Sequence, residues 1–374
     1  MSEGTFQLDY LPVMSTRKDY GIGIIGSGFI IKECHLPAYR EAGFRVVGIA
    51  SRTKSNAESV ASAFGIPKAY DSIQELLDDP SIDVVDIAVP PHIQPELIAR
   101  AARAGKHILA QKPLAVTYQE AVETVNICRE AGVQLLVNQN GRFDPAVMAA
   151  NDLIGKGIIG KPVCATIELR YQPHWQEYQK QYERLMFLFM SIHHLDQFRY
   201  WFGTPDRLFA TAIRDPQGEY LGEYSSSYIL EYENGLMASA WDDGFTWDKE
   251  GFGVFYKIEG TEGVIRLNIG WPSGGPSQIS YMSKRLDSRW HSPELAGSWF
   301  PGAFKYTMNE MFLTLSSGIE SMITGMNNLE TMAMMEACYA SLQEKRSIPI
   351  NEIIQSNASL ARRESPWTLK MPLL

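Results

Sequence analysis

Cysteine is scarce and scattered. The four present, Cys34, Cys128, Cys164 and Cys338, lie far apart and form no C-x-x-C pair. That spacing argues against a disulfide framework or a zinc knuckle and fits a reducing, cytoplasmic setting. Positive charge is also in deficit: 34 Lys and Arg against 43 Asp and Glu leave a net −9, so no face for nucleic acid is expected. Long apolar runs are missing. The longest, Leu185 to Ile192, falls far short of the roughly 20 residues that cross a bilayer. The first 20 residues mix acidic, basic and polar side chains without the apolar centre of a signal peptide. Internal repeats and low-complexity segments are absent.

What is present divides in two, as a chain of 374 residues leads one to expect. Over residues 20–140, short β-rich runs (YGIGII, FRVVGIA, IDVVDIAV, KHILA, VQLLVN) alternate with amphipathic segments of helical period. Three of those segments close on Gly65, Gly105 and Gly132, as helix stops. Such alternation predicts a parallel sheet with helices on both faces, a doubly wound Rossmann-like α/β domain. Over residues 141–374 the runs VCATIELRYQ, RLFATAIR, YILEYENGLMASAWDD and VFYKIEGTEGVIRLNI read as strands joined at Glu233-Asn234-Gly235 and Gly260-Thr261-Glu262-Gly263. This predicts an α+β domain with an open, mainly antiparallel sheet, followed by a helix over NNLETMAMMEACYASLQEK. Residues 1–19 read as an N-terminal extension.

A literal G-x-G-x-x-G at Gly21, Gly23 and Gly26 misleads, because its glycines fall in the first strand. A dinucleotide loop needs them at the turn, where backbone approaches a pyrophosphate in front of a helix. The useful register is Gly26-Ser27-Gly28-Phe29-Ile30-Ile31, with Ile31 where a third Gly or Ala is usual. The second strand ends at Ser51-Arg52-Thr53. No acid stands there for a ribose 2′-hydroxyl, and Arg52 leans the reading toward a 2′-phosphate, hence NADP; a solvated loop arginine is the plainer alternative.

Taken in order, several segments resemble the Gfo/Idh/MocA family, relatives of glucose–fructose oxidoreductase and inositol dehydrogenase. They are GIIGSGFI with CHLPAYR, IAVPPHIQPELIARAARAGKHILAQKPLA, NGRFDPAVMAANDLIGKGIIGKP, SIHHLDQFRYWFG and NNLETMAMMEACYASL, and together they cover nearly all of residues 20–345. The resemblance implies an active site between a nicotinamide and the open sheet, usually for sugars or polyols. It implies catalytic roles for Lys112, in the Gln111-Lys112-Pro113 counterpart of a Glu-Lys-Pro motif, and for His193 of His-x-x-Asp. Cofactor contacts are implied at Gly26, Ser27, Gly28, Phe29, Ile30, Ser51, Arg52, Thr53, Val89, Pro90, His92, Gln111, Lys112, Asn140 and Arg142. Substrate contacts are implied at Lys112, Arg142, His193 and Asp196. The chain departs from the family at Gln111 for Glu, at Phe189 for a frequent Asp, and at Gln94 for a common His.

In a helix over Leu185–Tyr200, Phe189, His193 and Asp196 share one face and His194 points about 100° away. His193 is therefore expected in the cleft and His194 in the core. A metal is not expected, because His-x-x-Asp supplies two ligands with no cluster to complete four. Tyr171, His174 and Trp175, in an aromatic and amide-rich stretch, suit a sugar's faces and hydroxyls, or equally a subunit contact; WDDGFTWD (Trp241–Asp248) carries the same ambiguity. The function that these residues and the resemblance together imply is NAD(P)-dependent hydride transfer to or from a hydroxyl-bearing carbon of a sugar, glycoside or inositol. Two alternatives stay open: a lyase or glycosidase using transient oxidation with tightly held NAD(H), and a non-catalytic nucleotide-binding protein. The resemblance implies a homodimer or homotetramer, because sheets of that family's second domain commonly pair face to face between subunits, and YILEY and VFYKI leave apolar surface to cover. Neither nucleic acid nor membrane is expected as a partner. The missing acids beside Lys112 predict a lysine whose pKa is pushed down.

Overall fold

The computed structural model describes residues 6–171, 175–270 and 275–358. Two sheets organise them. The first is built from β1 (Ile22–Ile25), α1 (Leu36–Ala42), β2 (Val46–Ala50), α2 (Lys54–Phe64), β3 (Lys68–Ala69), α3 (Ile73–Asp78), β4 (Val84–Ile87), α4 (Gln94–Arg103), β5 (His107–Gln111), α5 (Tyr118–Glu130) and β6 (Leu135–Asn138). Its strand order is β3-β2-β1-β4-β5-β6, and every pairing is parallel. The helices cover both faces, so the central strands are buried without alternation, as IGII in β1 and VVDI in β4. The predicted alternation is present, with the short β3 and α3 added between its members.

The second unit contains α6 (Pro145–Gly155), β7 (Pro162–Arg170), α7 (Ile192–Phe202), β8 (Arg207–Arg214), β9 (Glu223–Glu231), β10 (Met237–Asp243), β11 (Gly253–Gly260), β12 (Gly263–Ile269), β13 (Gln278–Ser283) and β14 (Trp290–His291), then α8 (Phe304–Ser317), α9 (Gly325–Glu344), β15 (Ile348–Pro349) and α10 (Ile350–Ala358). Nine strands run in the order β14-β13-β12-β11-β7-β10-β9-β8-β15. Of the pairings, β7 with β10 is parallel and the others are antiparallel. Along β8 buried and exposed residues alternate, with Phe209 exposed between buried Leu208 and Ala210.

The two units are tied together. Leu136 of β6 bridges to Thr324 at the start of α9, and α8 packs Phe312 against Tyr20 and Phe44 of the first unit. Residues 6–19 run along the second unit: Asp9 N–H donates to Asp152, and Ser15 N–H donates to Asn309 at 2.7 Å. Among the described residues no helix is long and apolar enough to cross a membrane.

Candidate functional site

The site grows from the carboxyl ends of β1, β4, β5 and β6, where an open parallel sheet places its ligands. After β1 the chain turns at Gly26, whose φ is +120°; a Cβ there would stand 2.3 Å from the Ala88 carbonyl oxygen, so only glycine fits. A Cβ on Gly28 would meet nothing within 4 Å, so the backbone there is open to a ligand. Gly21 and Gly23, the other two glycines of the misleading match, are hemmed in by the protein: a Cβ on Gly21 would lie 1.9 Å from the Ser81 carbonyl oxygen, and one on Gly23 2.9 Å from the Ile82 side chain. Ser27 and Ser51 share a hydroxyl hydrogen bond of 2.7 Å, which ties the loop to the end of β2. Phe29, Arg52 and Thr53 are exposed, Ile30 is half-buried, and among the described residues Arg52 has no hydrogen-bond partner. Val89 and Pro90 are half-buried beyond β4, and exposed His92 shares a short hydrogen bond with the Tyr182 hydroxyl.

The turn after β5 carries Lys112 before a cis peptide bond to Pro113. Gln94 fixes that turn, its Nε2 donating to the carbonyls of Gln111 at 2.7 Å, Pro113 at 3.0 Å and Leu114 at 3.2 Å. Its presence where the family commonly has His thus has a local reason. The Lys112 Nζ reaches across to the second unit and donates to the Phe189 carbonyl at 2.6 Å. Burial, which no carboxylate offsets, pushes its ammonium down to about 7. The lowered pKa agrees with the sequence-based expectation in direction.

Residues 187–191 form a π turn that leads into α7. Such widened turns recur at functional sites, because they redirect carbonyls that an α-helix would consume. The Glu223 carboxylate anchors the start of this turn by accepting from the backbone N–H of Leu185 and Phe187. One turn beyond Phe189 stands His193, 6% exposed and edge-on to Trp299 at 5.5 Å. Its Nδ1 is enclosed without a hydrogen-bond partner among the described residues. Burial first, then the charge of Lys112, then His194, hold its pKa well below the ordinary imidazole range. Through its bond to the Phe189 carbonyl, Lys112 is brought to the turn that carries His193 four residues on. His194 turns to the sheet and pairs with buried Asp242 at 2.6 Å, a core histidine as expected.

Asp196 and Arg142 are brought together too, but with each other. Arg142 Nε and Nη2 donate to the two Asp196 oxygens at 2.6 and 2.7 Å, and the Thr331 hydroxyl donates to Oδ1 at 2.7 Å. The residues are 3% and 1% exposed, and Arg142 also donates to the Met322 carbonyl. The structure does not bring the Asp196 carboxylate to the cleft as the helical face suggested, because a bidentate arginine closes over it. Asn140 is likewise engaged, accepting from Trp299 Nε1 at 2.7 Å and donating to the Asn138 carbonyl.

Trp175, Tyr178 and Tyr182 stand edge-on around Phe189, with ring centroids 6.3, 6.3 and 5.1 Å away. Phe189 is thus the hub of an aromatic wall beside Lys112. Tyr171 packs instead on Phe252, and His174 lies outside the described residues. Sequence reasoning missed Tyr178, Tyr182 and Trp299. It also missed a buried network of His35, Tyr39, Asp86 and Asn138 beneath Gln111. The one available signal was His35 four residues before Tyr39 in an otherwise apolar helix face. Among the described residues no group of three or more His, Cys, Asp or Glu is placed to hold a metal.

A glycine turn open toward a ligand before a helix, at the carboxyl edge of a six-stranded parallel sheet, with a half-buried lysine bonded to the turn that leads into the helix of His193, is the frame of a nicotinamide-dependent oxidoreductase. Residues 20–139 match the oxidoreductase family with an NAD-binding Rossmann fold (GFO_IDH_MocA), and residues 151–350 match its C-terminal alpha/beta domain. The chain belongs to this family. It is 28% identical over 352 residues to D-apiose dehydrogenase of Paraburkholderia graminis, spanning 91% of this chain and 92% of that protein. It is 31% identical over 250 residues to 1,5-anhydro-D-fructose reductase of Ensifer adhaerens, spanning 65% and 74%. Its fold matches an oxidoreductase from Agrobacterium radiobacter, solved with NAD+, L-tartaric acid and magnesium, at a TM-score of 0.80 and 24% identity over 90% of this chain and 99% of that one.

Proposed function

We propose that the protein moves a hydride between a nicotinamide nucleotide and a hydroxyl-bearing carbon of a sugar, glycoside or inositol, with Lys112 as the base and His193 orienting the reacting oxygen. The observation that carries this reading is the Lys112 amine: lowered to about 7, held by the Phe189 carbonyl, one helical turn from a histidine whose Nδ1 has no hydrogen-bond partner among the described residues. The names of the two curated relatives support a sugar as substrate class.

The nucleotide would lie with its phosphates on the backbone of Gly26 to Ile30 and its adenosine ribose near Ser51, Arg52 and Thr53. Val89, Pro90 and His92 would border it. Gln111, Asn140 and Arg142 are engaged within the protein and act by holding the frame. When bound, the nicotinamide accepts or supplies the hydride. In oxidation, neutral Lys112 takes the hydroxyl proton as the hydride leaves; in reduction its ammonium returns that proton. Neutral His193 keeps one ring nitrogen for the reacting oxygen. Asp196 acts through Arg142 by fixing α7 against residues 140–143. Tyr171, His174 and Trp175 are retained as substrate contacts, with Trp175 supported by its place in the aromatic wall.

Residues 20–140 serve as the cofactor domain, residues 141–374 as the substrate and oligomerisation domain, and residues 1–19 as an extension. The setting is cytoplasmic and the assembly a homodimer or homotetramer. Purified protein should reduce NAD+ or NADP+ with at least one member of a panel of aldoses, glycosides and inositols; binding neither nucleotide would overturn the reading. The lean toward NADP rests on Arg52, exposed at the end of β2 and unpaired among the described residues. Arg52→Ala should weaken NADP binding about tenfold and NAD binding little, and equal affinities before and after would remove the lean.

A further inference from the structure

His35 is fully buried on the π turn between the phosphate loop and α1, where no ligand can reach it. Its hydrogen bonds can be assigned from a donor that admits no ambiguity. The backbone N–H of Lys112 donates to Gln111 Oε1 at 2.7 Å. That fixes the Gln111 amide and leaves its Nε2, a donor only, 3.2 Å from His35 Nε2. The Asn138 amide nitrogen approaches the same ring nitrogen at 3.0 Å. His35 Nε2 must then accept, so its proton sits on Nδ1, which donates to Asp86 Oδ2 at 2.6 Å. The Tyr39 hydroxyl donates to that same oxygen at 2.7 Å, and Phe304 packs on the ring at 5.1 Å. The chain of bonds runs without a donor–donor clash from β4 through the loop helix to the ends of β5 and β6.

We propose that His35 is a positioning residue: by accepting from Gln111 it sets the amide that holds the Lys112 backbone N–H, so the placement of Lys112 depends on the helix that follows the phosphate loop. The pairing also gives Gln111 a reason of its own. Glutamate could accept from Lys112 but has no proton to offer His35, so at 111 it would set a carboxylate oxygen against the Nε2 lone pair and favour a second proton on the imidazole over the Asn138 bond, whereas glutamine matches the singly protonated ring. Positions 35 and 111 thus form one matched unit.

The test is a long-range proton–nitrogen correlation spectrum of the full-length protein labelled in its seven histidines, with the His35 signals assigned by their loss in His35→Gln. Wild type should show His35 with Nε2 free of a proton at neutral pH, and Gln111→Glu should add a proton to that nitrogen. A proton on Nε2 in wild type, or identical His35 signals in Gln111→Glu, overturns the proposal. A kinetic arm rests on the oxidoreductase reading above. Gln111→Leu and His35→Phe should each lower kcat about tenfold with nucleotide Kd within twofold, and the double variant should lose no more than the worse single one. Additive losses would show that the two residues do not act through one bond. Should His35→Phe fail to fold, Gln111→Leu with the spectrum still decides the matter. A wild type inactive on every substrate would sink the oxidoreductase reading, and the spectrum would still judge His35.

Discussion

Lys112 meets two opposed demands. Burial favours the neutral amine, while a donor to the Phe189 carbonyl suits either protonation state, so the group is poised near neutrality rather than locked as a cation. Below about pH 7 the amine carries its proton and cannot take another; above it, the amine is free to act as base. Oxidation should therefore rise through a limb near pH 7, reduction should fall through the same limb, and Lys112→Ala should lower kcat by about 10²–10⁴ and erase it in both directions. A limb that survives in Lys112→Ala would assign it to another group. At this scale the sequence was informative where a motif was local. Gln-Lys-Pro and His-x-x-Asp pointed to Lys112 and His193, and the fold brings the lysine to the turn that leads into the histidine's helix. It was uninformative for pairs made by the fold: Arg142 and Asp196 are 54 residues apart, and His35 and Asn138 are 103 apart, so no spacing along the chain announces them.

Elements set the site through their ends. Asp144 caps α6, accepting from Ala146 and Val147 N–H at 2.8 and 3.2 Å and from the Ser277 hydroxyl at 2.5 Å. Its burial outweighs those bonds and raises its carboxyl to about 6. Because the folded value lies above the unfolded one, this group's contribution to stability is full below about pH 4 and is lost as pH rises through about 6. Asp144→Asn keeps an acceptor for the cap and removes the buried charge. Thermal unfolding should show it stabilised by about 1–3 kcal/mol at pH 8 and unchanged at pH 4. Destabilisation at both would mean that the carboxylate itself is needed. The strand–helix alternation was legible because long amphipathic segments carry a period. The two-residue β3 and six-residue α3 are too short to carry one. The π turns at Ile31–His35 and Phe187–Ser191 were invisible because the same side chains suit an α-helix.

For the whole molecule, the second sheet's outward face is the open question. Phe209 opposite Ile229, with Met237, Trp241 and Phe255 nearby, are each 40–56% exposed. They form the kind of apolar patch that a soluble monomer seldom leaves bare. Sedimentation at micromolar concentration should find a dimer or tetramer, and Ile229→Lys with Trp241→Glu should shift it to monomer; an unaltered assembly would place the interface elsewhere. The sequence anticipated both sheets. It did not anticipate the parallel β7–β10 pair, since hairpin signals report neighbours along the chain and not the strand that inserts between them. Hydride transfer at Lys112 is the central claim, and isotope transfer tests it directly. The protein would be incubated with NAD+ or NADP+ and aldoses, glycosides and inositols bearing deuterium on their hydroxyl-carrying carbons, and the nucleotide then analysed by mass spectrometry. Deuterium should appear in the reduced nicotinamide with at least one substrate and be largely lost in Lys112→Ala. Protein that binds nucleotide yet transfers no deuterium from any of them would contradict the account.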